Sequence, residues 1–422
     1  MKAMRTAVNG VKIINTTQDE KQVSLLYLFV TFFKIGLVSF GGYMAIVSVI
    51  QRIMVEKDRT IDNSSILNSI GIASLSPGPL AVNVVGQIGY HLQKAKGALV
   101  STVAIILPSF ILMLLLSWIY FSHQVIINWN AVMRYIPAVV SAIILASGIQ
   151  LYKKELKGNL KKTLLFFVAM VVLFFANNYI VTITLIILGA VAGLILEVEN
   201  VREVNETSVS PNPIKLSVGK SISGLINKIV FVILIINQLL FITNVTKSFT
   251  AGNIKIIMIF AGISLSLFGG GYVMIPIMQA LFVNDLHWVS NKEFVDAIAF
   301  SQATPGPILI SATFIGYKIA GFTGAIFATA AIFAPSVFVV IVVSKIIKKY
   351  SNNKIINLLG GIKAVVVALI IFSAYKVIAI ADFDILLAVI FAISFILNFW
   401  YKINPVYLIL ATISLGIIKN LF

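Results

Sequence analysis

Apolar runs as long as a bilayer is thick recur from one end of this chain to the other, and they confine the fold more than any other feature. About 18 consecutive apolar residues suffice for a spanning helix. Thirteen apolar segments lie near 24–50, 66–92, 97–121, 130–151, 163–176, 179–196, 225–246, 254–280, 294–317, 321–344, 358–380, 384–400 and 403–421. The shortest, 163–176, spans about 21 Å at 1.5 Å per residue, against a hydrocarbon core of about 30 Å. Only 11% of the residues are charged, where soluble domains carry about 25%. The expected fold is an all-α polytopic membrane protein with about 13 transmembrane segments.

Composition also excludes chemistry. Cysteine is absent, which rules out disulfides, thiolate metal sites and cysteine nucleophiles. The histidines, His91, His123 and His287, form no metal-ligand spacing, and no intramembrane Ser-His-Asp grouping is suggested. No enzyme activity, metal or cofactor is expected. The net charge of +17 reads as lysine in cytoplasmic loops holding topology. The expected surroundings are therefore a lipid bilayer, that of the plasma membrane, and not nucleic acid. Residues 1–23 hold neither a long apolar core nor a small-residue cleavage site, so a cytoplasmic N-terminal segment without a removable signal peptide is expected.

The chain is an internal duplication. Phe40-Gly41-Gly42 recurs as Phe268-Gly269-Gly270, and Pro77-Gly78-Pro79 as Pro305-Gly306-Pro307, both offset by 228. Then "GALVSTVAIILPS" at 97–109 matches "GAIFATAAIFAPS" at 324–336 with seven identities in thirteen. Apolar bias does not explain shared glycine and proline positions. The expected parts are a repeat at 24–196, a polar linker at 197–224, a linking helix at 225–246 and a second repeat at 252–422.

Lysine placement leads to an expectation of inverted repeats. Loop 122–130 has no Lys or Arg, whereas its equivalent, 345–357, holds Lys345, Lys348, Lys349 and Lys354. Loop 152–162 carries Lys153, Lys154, Lys157, Lys161 and Lys162, and its equivalent near Asp382 and Asp384 has no basic residue between the helices. Equivalent loops thus carry opposite positive-inside signals. One loop is out of keeping: 51–65 should be external, yet holds Arg52, Lys57 and Arg59.

Inverted repeats with interrupted helices are the signature of secondary transporters. Proline removes an N–H and fixes φ, so the helix before Pro77 or Pro305 loses its ladder. Glycine at Gly78 or Gly306 admits close approach to the backbone, and Pro79 or Pro307 suits the first turn of a new half-helix. The free N–H groups of that turn carry partial positive charge and favour oxyanions. Ser76 and Asn83 in the first copy, and Gln302 and Thr304 in the second, are candidate donors. Gly41, Gly42, Gly269, Gly270 and Gly271 mark a second break, for packing or for binding. Lys34 lies at membrane depth, where a cation is a functional candidate by default; snorkelling to the nearer surface is the other reading. Asp296, nine residues before Pro305 and equivalent to Asn68, is a candidate coupling carboxylate, or a solvated helix start. Interrupted helices build channels too, so an anion channel stays open as the alternative, and so does a homo-oligomer.

These residues resemble a known family. "FFKIGLVSFGG", "SLSPGPLAVNVVGQIGY", "LFGGGYVMIP" and "EFVDAIAFSQATPGP" are similar to the chromate ion transporter family in its two-domain form, over roughly 24–152 and 252–380. The resemblance implies a cytoplasmic-membrane carrier that moves chromate outward and confers resistance. Sulfate, a tetrahedral dianion of similar size, is the alternative substrate.

Overall fold

The computed structural model describes residues 23–40, 43–74, 76–122, 128–196, 252–267, 271–347 and 353–421. The segment before Val23, the 197–224 linker and the linking helix at 225–246 lie outside the described residues. Among the described residues every regular element is a helix. Five stretches are long and apolar enough to cross a membrane: Leu80–Ser122, Ile136–Glu155, Tyr179–Leu196, Ile308–Val342 and Asn357–Ile378.

In the first repeat, α1 (Leu25–Val38), α2 (Tyr43–Ile50, continued by a π-helical stretch Gln51–Lys57), α3 (Asn63–Ser74) and α4 (Leu80–Ser122) come first. A short α5 (Trp129–Val132), α6 (Ile136–Glu155), α7 (Leu160–Phe175) and α8 (Tyr179–Leu196) follow. The second repeat has α9 (Gly252–Leu265), then α10 (Met274–Met278) between a 3-10 turn Gly271–Val273 and a π-helical stretch Gln279–Asp285. Next come α11 (Asn291–Ala303), a 3-10 turn Ile308–Ile310, α12 (Ser311–Ile347), α13 (Asn353–Ile378), α14 (Ile385–Phe399) and α15 (Pro405–Leu421). The two π-helical stretches fall at equivalent positions, which extends the duplication to local backbone geometry.

Four of the thirteen expected segments do not run straight through; they fold back on themselves. Tyr27 Oη donates to Asp58 Oδ2 at 2.6 Å, so the start of α1 meets the end of the α2 stretch. Gln93 Nε2 donates to the Val23 carbonyl at 2.6 Å, which brings the far end of 66–92 to the same place. In the second repeat the Lys255 ammonium lies 5.4 Å from the Trp288 ring centre. Lys318 Nζ lies 2.7 Å from Glu293 Oε1, and the Phe300 and Phe314 rings are 5.9 Å apart. A continuous helix would separate residues 293 and 318 by roughly 37 Å. The Pro-Gly-Pro motifs sit where two of these pairs turn, between α3 and α4 and between α11 and the Ile308–Ile310 turn, and there proline and glycine end the hydrogen-bond ladder.

The long helices complete the frame. Both α4 and α12 bend sharply, at Gln93–Lys94 and Ala320–Gly321, with φ of +53° at Lys94 and +60° at Gly321. At the bends Gly89 packs on Gly97 and Gly316 on Gly324, so closely that a Cβ on any of them would overlap a carbonyl. Beyond its bend, the second arm of α4 runs about 42 Å. It passes Gly306 at Ser109 and reaches Asp296 at Tyr120, 2.7 Å away. The second arm of α12 passes Gly78 at Ser336 in the same manner.

Two ends of the molecule follow. One holds Val23, Asp58 and Gln93, together with the Lys161 contact to the Leu196 carbonyl and the Lys363–Glu155 pair at 2.8 Å. The other holds Tyr120 and Asp296, the Lys255–Trp288 contact, and Arg134 at 3.4 Å from Asp384. Loop 51–65 therefore lies at the same end of the molecule as Lys94, because 24–50 turns back on itself. Around this frame α7 and α8 pack on α13, and α14 on α6. The glycine face of Gly189 and Gly193 lets α8 approach Gly361 of α13 backbone to backbone.

Candidate functional site

The four tips meet inside the molecule in crossed pairs. Gly78 N–H donates to the Leu267 carbonyl at 2.8 Å, and Gly306 N–H to the Ser39 carbonyl at 3.0 Å. Ser39 and Leu267 are equivalent at the 228 offset, so each Pro-Gly-Pro tip docks on the other repeat's glycine tip. Gly78 has φ +107° and Gly306 φ +114°, a region that residues with a Cβ avoid. Serines after the mid-helix prolines Pro108 and Pro335 close the tips. A Cβ on Gly78 would stand 2.5 Å from Ser336 Oγ, and one on Gly306 would overlap Ser109 Oγ. The Ser109 hydroxyl also donates to the Pro305 carbonyl.

The glycines therefore lock the two repeats together. Their N–H groups and their open faces are occupied by the opposite repeat. Ser76 and Thr304 turn their hydroxyls to their own helices, donating to Ile72 and Ser301 carbonyls at 3.1 Å each. Free capacity lies in other side chains. Among the described residues, Ser39, Asn83, Gln302, Ser311 and Ser336 are buried or nearly so and carry polar atoms without partners. Asn83 steadies its turn by donating Nδ2 to the Pro77 carbonyl at 3.1 Å, which leaves Oδ1 unpaired. Gln302 has neither amide atom paired. Ser311 stands where the first repeat has Asn83. After Pro79 and Pro307 new helical turns begin at Leu80 and Ile308, and first-turn N–H groups lack intrahelical partners. Unpaired polar groups at such depth call for water or an ion.

Other expected residues lie elsewhere. Lys34 is exposed on α1, on the outward stripe that also carries Leu26, Val30 and Leu37, and does not join the tips. Gly41, Gly42, Gly269 and Gly270 lie outside the described residues. Among the described residues, Gly271 has only Leu309 Cδ1 within reach of a Cβ, at 4.0 Å. Asp296 is buried on α11, away from the tips, with Lys292 Nζ 3.9 Å from Oδ2. Ser39, Ser109 and Ser336 escaped the sequence reading of the site. The signal for two of them was there, because Pro108-Ser109 and Pro335-Ser336 close the matched thirteen-residue stretch.

Two homologous repeats whose broken helices meet at a buried polar centre are the construction of a membrane ion transporter. The chain belongs to the chromate transporter family, whose model matches residues 26–194 and 254–417, once in each repeat. It is 28% identical over 400 residues to an uncharacterised transporter of Methanocaldococcus jannaschii, covering 93% of this chain and 94% of that one. To a chromate transport protein of Cupriavidus metallidurans it is 28% identical over 359 residues, 82% of this chain and 81% of the other. An uncharacterised transporter of Bacillus subtilis is 29% identical over 169 residues, 39% of this chain but 95% of its own length, and so corresponds to a single repeat. No solved structure matches.

Proposed function

We propose that this chain is a secondary carrier that exports a small inorganic oxyanion, chromate, across the plasma membrane, and that the crossed tips bind it. Family membership and a relative named for chromate transport support the substrate. The observation that carries the site is the set of unpaired buried side chains around Gly78 and Gly306. Each buried group left without a partner costs about 1–3 kcal/mol, and one tetrahedral anion can accept from several hydroxyls, amides and helix-end N–H groups together. Among the described residues no buried cation stands at the tips. Neutral dipoles suit a site that must also release a dianion.

The repeats are inverted. In support, α4 beyond its bend, α6, α7 and α8 each lead from one end of the molecule to the other, and the sequence of 225–246 is apolar enough to count as a fifth span. An odd number reverses the second repeat. The end that holds Lys57, Arg59, Lys94, Lys153 and Lys154 is cytoplasmic by the positive-inside rule.

Purified protein in liposomes tests the function. Chromate flux should saturate and be accelerated by chromate on the opposite side, and competition by sulfate reports how far the site tells the two dianions apart. Conductance without counterflow makes the protein a channel. No chromate flux at all removes the reading.

A further inference from the structure

We infer that Asp296 is a proton-binding site open to one face of the membrane, and that its proton is linked to the anion at the tips. The link rests on the carrier reading above; the proton site does not. Asp296 Oδ2 accepts the Tyr120 hydroxyl at 2.7 Å, and Oδ1 is buried without a partner among the described residues. Beside it lies a polar cavity of about 290 Å³ lined by Tyr120, Asn128, Trp129, Asn130, Lys292 and Glu293 among others. Trp129 Nε1 is a second buried polar atom there without a partner among the described residues. A further cavity of about 680 Å³ shares Asn128 and Trp129 and extends to Thr304 and Pro305 at the tip. Asp296 itself lines neither cavity; its hydrogen-bond partner Tyr120 and its neighbour Lys292 line the polar one, and the larger, mainly apolar one adjoins that and reaches the tip.

The charged groups around it leave this carboxyl as the one to titrate. Lys292 and Glu293 face it from its own helix, Tyr120 from α4, and Lys318 of α12 through Glu293. Burial works against charge on Glu293, but hydrogen bonds from Lys318 and Ser290 prevail and hold its carboxyl below the usual range. A hard metal cation is disfavoured. It needs about six oxygen ligands, no group of three acids or histidines occurs among the described residues, and an ammonium lies 3.9 Å away. The first repeat has Asn68 at this position, so the device exists on one side only.

The test compares the wild type with Asp296→Asn and Asp296→Glu in chromate-loaded liposomes at clamped zero voltage. Coupling one proton per anion, one pH unit across the membrane shifts the wild-type chromate distribution about tenfold, the ratio equivalent to one pK unit. Asp296→Asn should lose that shift and keep chromate counterflow, while Asp296→Glu keeps both. Chromate's own protonation is common to all three proteins and cancels. An undiminished shift in Asp296→Asn, or none in the wild type, overturns the link. Infrared difference spectra read the site without any flux: a protonated-carboxyl band should titrate in the wild type and be missing from Asp296→Asn. No such difference overturns the proton site. The band in a protein that moves no chromate leaves the site standing and refutes the carrier reading.

Discussion

Gly306→Ala perturbs the crossed tips at their tightest point. Its φ of +114° strains a residue with a Cβ by about 1–3 kcal/mol. The new methyl would overlap Ser109 Oγ and stand 3.1 Å from Ser109 Cβ, an overpacking of about 1–3 kcal/mol. Turning Ser109 away gives up its hydrogen bond to the Pro305 carbonyl, a net loss of about 1 kcal/mol. Together these come to about 3–7 kcal/mol, a large part of the 5–15 kcal/mol that holds a typical domain folded. Gly78→Ala meets Ser336 Oγ at 2.5 Å, and that hydroxyl has no partner to lose, so its cost is lower by about one hydrogen bond. Thermal unfolding in detergent should rank wild type above Gly78→Ala above Gly306→Ala, with chromate flux lost in the last. Adding Ser109→Gly to Gly306→Ala removes the overlap and leaves the backbone strain, so Tm should recover in part. A Gly306→Ala protein with wild-type Tm and wild-type flux refutes the reasoning.

Gly271→Ala, with no neighbour among the described residues nearer than 4.0 Å, should change stability by no more than about 0.5 kcal/mol, read as Tm beside Gly306→Ala. Lys34→Ala should carry chromate like the wild type, because the side chain is on the outward stripe; a tenfold loss restored by Lys34→Arg would place the cation at the site after all. With no native cysteine in the way, Ser122→Cys should react with a membrane-impermeant maleimide in intact cells. Ser64→Cys and Ser351→Cys should react only after permeabilisation. Labelling of Ser64→Cys from outside would mean that 24–50 crosses the membrane and does not fold back.

Much of this was legible in the residues, for a physical reason. Glycine and proline have backbone requirements that apolar side chains do not, so Gly78, Gly306 and the prolines beside them marked both the duplication and the breaks. Lysine reports which side a loop is on, and so is the residue type from which the proposed inversion is read. Fold-back was not legible, because a hydropathy pattern is the same for one straight segment and for two half-length arms. Only a contact such as Lys318 with Glu293 separates them. Fold-back also puts the loop with Arg52, Lys57 and Arg59 at the end of the molecule that holds Lys94. The direction of Lys34 was hidden for a related reason: α1 is apolar on all faces, so the sequence shows no stripe to orient it. The unpaired hydroxyls at Ser39 and Ser336 owe their place to contacts between repeats, which spacing within one repeat does not encode.

Anomalous scattering from chromium in chromate-soaked crystals tests the central claim most directly. One chromium peak is expected between the tips, with its oxygens in hydrogen-bond reach of the Ser39 and Ser336 hydroxyls and the Gln302 amide N–H, and it should be missing from Gly306→Ala. Chromium found only elsewhere, with the tips vacant in a protein that carries chromate, would contradict a site built from the two crossed breaks.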